Sequence, residues 1–183
     1  MATDEQQQAS FAGGNEDLAS ITLDNVSFLH KFVGNITCTL EEVVGINEAS
    51  GFMNTVAQRM GEQLNDMYRH SLNSHKLNRE QVCHVIADLQ NRINSNAQIT
   101  HKDEEKIIIG GCICPAGADN QDRPSLCSII TNMLGVISAE NLGYSKVVVK
   151  RPDTNGNLHC QIVIHLNKTP EVIEYEGREH FQS

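Results

Sequence analysis

The chain has 183 residues, 39% of them hydrophobic and 20% charged, which suits one globular domain able to bury a core of its own. A formal charge of −9, no Trp and only 4% aromatic residues argue against a surface that neutralises nucleic-acid phosphates or stacks unpaired bases. No run approaches about 18 apolar residues, and the first twenty lack the basic and apolar regions of a secretory signal. A cytoplasmic protein is therefore expected, with neither membrane nor nucleic acid as a direct partner.

Residues 1–22 are rich in Gln, Gly, Ala and acidic side chains and read as a disordered tail ahead of a domain spanning 23–181. From Asp24 the apolar residues recur at three- and four-residue steps: Val26, Leu29, Val33, Ile36, Leu40 and Val43 share one face of a helix. Gly34 and the Asn-Ile-Thr-Cys-Thr stretch weaken that pattern and allow a break near residue 35, and Gly45 is placed to end it. A second helix is predicted from about Asn47 to Arg69, with Phe52, Val56, Met60, Leu64 and Met67 along one side. A third starts at Asn78, an N-cap with Gln81 in the capping-box position, and buries Val82, Val85, Ile86, Leu89 and Ile93.

After Asn94 the period changes. Gln98–Thr100 and Lys106–Ile109 flank a charged turn and predict a hairpin. Gly110, Gly111, Pro115, Gly117 and Pro124 mark a loop; Pro124 opens an apolar helix that runs to Leu142 and stops at Gly143. Tyr144–Lys150 and His159–Leu166 are β-rich and joined by a turn containing Asn-Gly. Helices, hairpin, helix, hairpin: the order predicts an α+β fold, a single domain with an antiparallel sheet packed with several helices on one side.

The chemistry concentrates in four cysteines. Cys112 and Cys114 follow the first hairpin in a glycine-rich stretch, Cys127 sits in the first turn of the long helix, and Cys160 opens the last strand. These elements border one end of the sheet, and four thiolates suit a tetrahedral zinc site or an iron–sulfur cluster. Unliganded thiols and a redox-active pair are the alternatives on spacing alone, since no Cys-x-x-Cys is present. Cys38 and Cys83 fall in or beside helical stripes and read as core. His70 and His75 read as surface residues, whereas His159 and His165 are alternative fourth ligands. No Gly-x-Ser-x-Gly, Walker loop, His-Glu-x-x-His or dinucleotide fingerprint occurs, so no catalytic residue is assigned and the protein is expected not to be an enzyme. The rival reading is a cysteine-dependent redox enzyme with Cys127 or Cys114 as nucleophile, and a third is a purely structural interaction domain.

The stretches Val44-Gly-Ile-Asn-Glu-Ala-Ser-Gly-Phe-Met53, Cys114-Pro-Ala-Gly, Arg123-Pro-Ser-Leu-Cys127, Ala139-Glu-Asn-Leu-Gly-Tyr-Ser-Lys-Val147 and Glu176-Gly-Arg-Glu-His-Phe181 carry a family resemblance. The chain resembles the methanogen output domain of the first type, a relative of the vinyl-4-reductase-like small-molecule-binding sensory domains. The resemblance implies a signal-sensing regulatory domain that responds to a small ligand or to redox state. Cys114, Cys127 and Cys160 match the family's cysteine pattern, and related domains hold zinc in the equivalent region. Two departures stand out: Ala116 replaces the aromatic of a Cys-Pro-Phe-Gly motif, and Cys112 is an extra thiol. Nothing in the sequence reads as a helix-turn-helix or kinase. Signalling is therefore expected to pass through a separate signalling or transcription protein or through a homodimer. A small molecule is expected in an apolar cavity between helices and sheet, near Phe52, Met60 and Tyr68.

Overall fold

A computed structural model describes residues 24–112, 124–150 and 160–183. The proposed tail, residues 1–22, lies outside the described residues, as does the Asn-Gly turn between the last two predicted strands. Helix α1 (Asn25–Val44) opens on a capping box. The Asp24 carboxylate accepts from the Ser27 amide at 2.7 Å, and the Asp24 amide donates to Ser27 Oγ at 2.9 Å. The helix is continuous through residue 35. Gly34 and Thr37 are its buried residues, and Thr37 returns its hydroxyl to the Val33 carbonyl at 3.0 Å, so neither breaks the ladder. Gly45 ends it at φ 85°, a conformation that favours glycine.

Helix α2 (Ile46–Ser71) buries Ala49, Met53, Ala57, Gly61 and Asn65. The expected stripe therefore lies to one side of the packed face: Phe52, Met60 and Met67 are exposed and Leu64 is only partly buried. The reason is close helix packing. A Cβ on Gly61 would stand 2.8 Å from Val136 Cβ and 3.2 Å from the Met133 carbonyl, so the crossing admits only small residues. Helix α3 (Arg79–Arg92) follows its capping box as expected, the Gln81 amide donating to Asn78 Oδ1 at 3.0 Å. It buries Val82, Val85, Ile86 and Leu89.

Strands β1 (Gln98–Lys102) and β2 (Lys106–Cys112) form the first hairpin; helix α4 (Pro124–Leu142) crosses to β3 (Tyr144–Lys150), and β4 (Cys160–His165) returns between β3 and β2. A short helix, α5 (Pro170–Glu174), and strand β5 (Arg178–Phe181) complete the fold; neither is evident from residue pattern. All strand pairs are antiparallel, in the order β1-β2-β4-β3-β5. The α+β expectation holds. Alternate residues Ile107, Ile109, Ile162, Ile164 and Val147 face Met133, Leu134 and Ile137 of α4 and the apolar stripe of α3. Fully burying each such side chain contributes about 1.5–3 kcal/mol.

Beneath the α2–α4 crossing sits a buried polar junction. Asn141 Oδ1 accepts from the Leu77 amide at 2.9 Å and from Arg69 Nε at 3.0 Å, while Asn141 Nδ2 donates to Asn65 Oδ1 and to the Ile137 carbonyl. Every polar atom of that side chain is matched, which fixes the register of two helices. No helix among the described residues is long and apolar enough to cross a membrane.

Candidate functional site

From Lys106 to Ile109, β2 pairs with β4 in unbroken register, Ile109 opposite Ile162. The register then shifts by one residue, so that Cys112, not Gly111, is the partner of Cys160. Gly110 and Gly111 together stand opposite Gln161: this is a β-bulge. Gly111 adopts φ 75°, the left-handed conformation the extra residue needs, and a Cβ on Gly110 would come within 3.0 Å of Thr100 Cγ2. The glycine pair that marked a loop in the sequence is thus the device that sets two cysteines opposite one another at the strand ends. Directly opposite residues in an antiparallel pair have Cα atoms about 4.5–5.5 Å apart.

Cys127 lies in the first turn of α4. The next residue, Ser128, lines the same cleft as Val149 of β3, and Val149 pairs with Ile162, two residues from Cys160. The start of α4 and the bulged strand ends therefore share one end of the molecule. Cys114 lies outside the described residues, as does His159. Of the four expected cysteines, Cys112 and Cys160 stand in register, and Cys127 belongs to the first turn of α4. Among the described residues no group of three metal-ligating side chains is assembled.

The remaining candidates separate. His165 closes β4 five residues from Cys160, roughly 17 Å along the strand, and its ring packs tilted against Tyr175 at 5.2 Å between ring centres. It is not a fourth ligand. Burial first, then Lys106 and Lys150, lower its pKa. Cys83 is buried in the core as expected, and burial raises its pKa, which keeps the thiol protonated and inert. Cys38 is half-buried, donating to Glu42 Oε1 at 3.3 Å. His70 and His75 are on the surface.

The cleft beside the cysteine end has a volume of about 970 Å³. Asn54, Ser128, Thr131 and Asn132 form one wall and Tyr175 to Glu179 the other, with Val147–Val149 as its floor. None of the residues expected to line a cavity lines this cleft. Phe52 and Met60 are exposed, and Tyr68 instead packs on the core and donates to Asp88 Oδ2 at 2.7 Å. Buried desolvation and that bond push the Tyr68 phenol up to about 12. The cleft escaped sequence reading because Arg178 and Glu179 sit on a four-residue strand with no alternation to mark it.

The model of the family "Methanogen output domain 1" matches residues 32–165. The chain belongs to that family. The matched span runs from α1 to the end of β4, so the output domain holds both the bulge and the first turn of α4. No curated protein matches the chain. Among solved structures, the chain is similar to a trafficking protein particle complex subunit 3 from Naegleria fowleri, crystallised covalently bound to palmitic acid. The TM-score is 0.50 at 14% identity, over 79% of this chain and 96% of that one. A likeness at that identity concerns the fold alone; membership of an output-domain family is compatible with a regulatory or interaction role.

Proposed function

We propose that this output domain is a non-catalytic sensor in which Cys112, Cys114, Cys127 and Cys160 hold a zinc ion at the bulged end of the sheet. The observation that carries the reading is the glycine bulge, which makes Cys112 the register partner of Cys160. A one-residue insertion costs a ladder hydrogen bond and glycine entropy, so its position at two thiols calls for a use. The donor chemistry fits, because four soft thiolates satisfy zinc's tetrahedral preference. Zinc would supply a cross-link tying β2, β4 and α4 together. A change in its occupancy, or a small molecule in the adjoining cleft, would alter the packing of α4 against α2 and be read by a separate signalling or transcription protein. We place this activity in the cytoplasm, where thiols stay reduced.

Elemental analysis with native mass spectrometry of freshly purified protein tests it. One zinc per chain is expected, reduced at least tenfold in occupancy by Cys112→Ser or Cys160→Ser, with chelation lowering the melting temperature by several degrees. Brown, iron-containing protein that bleaches in air would replace zinc by an iron–sulfur cluster. Metal-free protein whose melting is indifferent to chelator and to both substitutions would end the metal reading. A second reading, a purely structural interaction domain, is favoured by the fold neighbour, whose name is that of a subunit of a complex. It predicts neither metal nor ligand.

A further inference from the structure

Helix α1 packs on the body through its small residues and turns its large ones outward. Twelve large apolar side chains between Val26 and Met67, on α1 and the adjoining α2, are 42–75% exposed. Together they present roughly 1,000 Å² of apolar surface, well beyond the ~300–600 Å² patch of an ordinary monomer and above the ~800 Å² per partner of a stable interface. At 3.6 residues per turn, Val26, Leu29, Phe32, Val33, Ile36 and Val43 fall on one arc beside the buried Gly34 and Thr37. Lys31, Glu41 and Glu42 are the formal charges of α1, and all three lie off that arc. Phe28 and Phe32 stack at 6.2 Å, giving the arc a rigid aromatic anchor.

We infer that this face is a self-association surface, occupied by the same face of a second copy of the chain. A two-fold pairing sets an apolar, nearly uncharged arc against its equal. It also lets two molecules of charge −9 meet where each carries the least charge. The chain's own first 23 residues hold Phe11, Leu18, Ile21 and Leu23 as their large apolar side chains beyond Met1, too few to cover twelve. A lipid surface calls for Lys and Arg along the polar face, and α1 offers Lys31 against two glutamates. The inference is independent of whether the cysteines hold a metal.

Sedimentation velocity and light scattering on the full chain test it. A species of twice the chain mass is expected at tens of micromolar, and Phe32→Glu should weaken association at least tenfold while leaving the helical circular dichroism unchanged. A photo-crosslinking residue in place of Phe32 keeps the test decisive if that variant folds poorly. Links to α1 or α2 of another copy support the inference. Links to residues 1–23 of the same chain, adsorption of the monomer to neutral or anionic vesicles through this face, or a monomer at every concentration would overturn it, as would a dimer indifferent to Phe32→Glu.

Discussion

His180 stands on β5 with its ring against Gly135 of α4, and its Nε2 has no hydrogen-bond partner among the described residues. Burial first, then Arg178, pushes its pKa down to about 4 from the ordinary 6.5. The unfolded chain therefore binds a proton that the folded chain refuses between those two values. The stability of the neutral, buried ring is complete above about pH 6.5 and drains away as the pH falls toward about 4. His180→Leu should flatten the fall in melting temperature across that window; an unchanged slope would show that other groups govern it. Gly135 is the other half of this contact. A Cβ there would strike the imidazole and come 2.8 Å from Val147 Cγ2, so Gly135→Ala should cost about 1–3 kcal/mol in chemical denaturation. His180→Ala made in the same chain should recover part of the loss, because the ring that the new methyl strikes is then gone.

At the scale of elements, the helix starts and the bulge have different origins. Asn78 caps α3 through contacts three residues away, and Asn78→Ala should cost about 1 kcal/mol without altering any distant feature. The bulge in β2 exists only in the pairing of two strands. Gly111→Val, strained at φ 75°, should restore regular pairing past Ile109, setting residue 111 opposite Cys160 and moving Cys112 one place past it. The expected result is a folded protein with at least tenfold weaker zinc binding, measured by competition with a chromophoric chelator. Full zinc affinity in a folded Gly111→Val variant would separate the bulge from the cysteine site. These elements also mark how far the sequence was legible. Capped helices and the first hairpin were readable because their signals are local. α5 and β5 were not, since four- and five-residue elements have too few positions to show a period, and β5 is held by its pairing with β3. The cysteine end was readable as a concentration of thiols; the pairing of Cys112 with Cys160 was not.

For the molecule as a whole, the layers run sheet, α4 with α3, α2 and then α1, with the large aliphatic core between the first two. Ile164, wholly buried in β4 among the core residues, should cost about 2–5 kcal/mol when replaced by Ala, read as a lower denaturation midpoint. The outer layer behaves differently, because its largest apolar residues face outward. Which helical stripe goes inside was the point on which sequence pattern failed. On α2 the large residues Phe52, Met60 and Met67 look like the core face, yet Ala57 and Gly61 occupy it because α4 approaches too closely for anything larger.

The amino-acid sequence by itself determined roughly where the four long helices begin and end, the α+β order of elements and the concentration of thiols between residues 112 and 160. Each depends on backbone preferences and periodicities that a segment carries with it. The tertiary structure decided which faces are buried, the register of β2 on β4 and the pairing of Cys112 with Cys160. Those choices are settled by competition between surfaces far apart in the chain, where the steric limit at one crossing or one extra glycine in a ladder outweighs the local pattern.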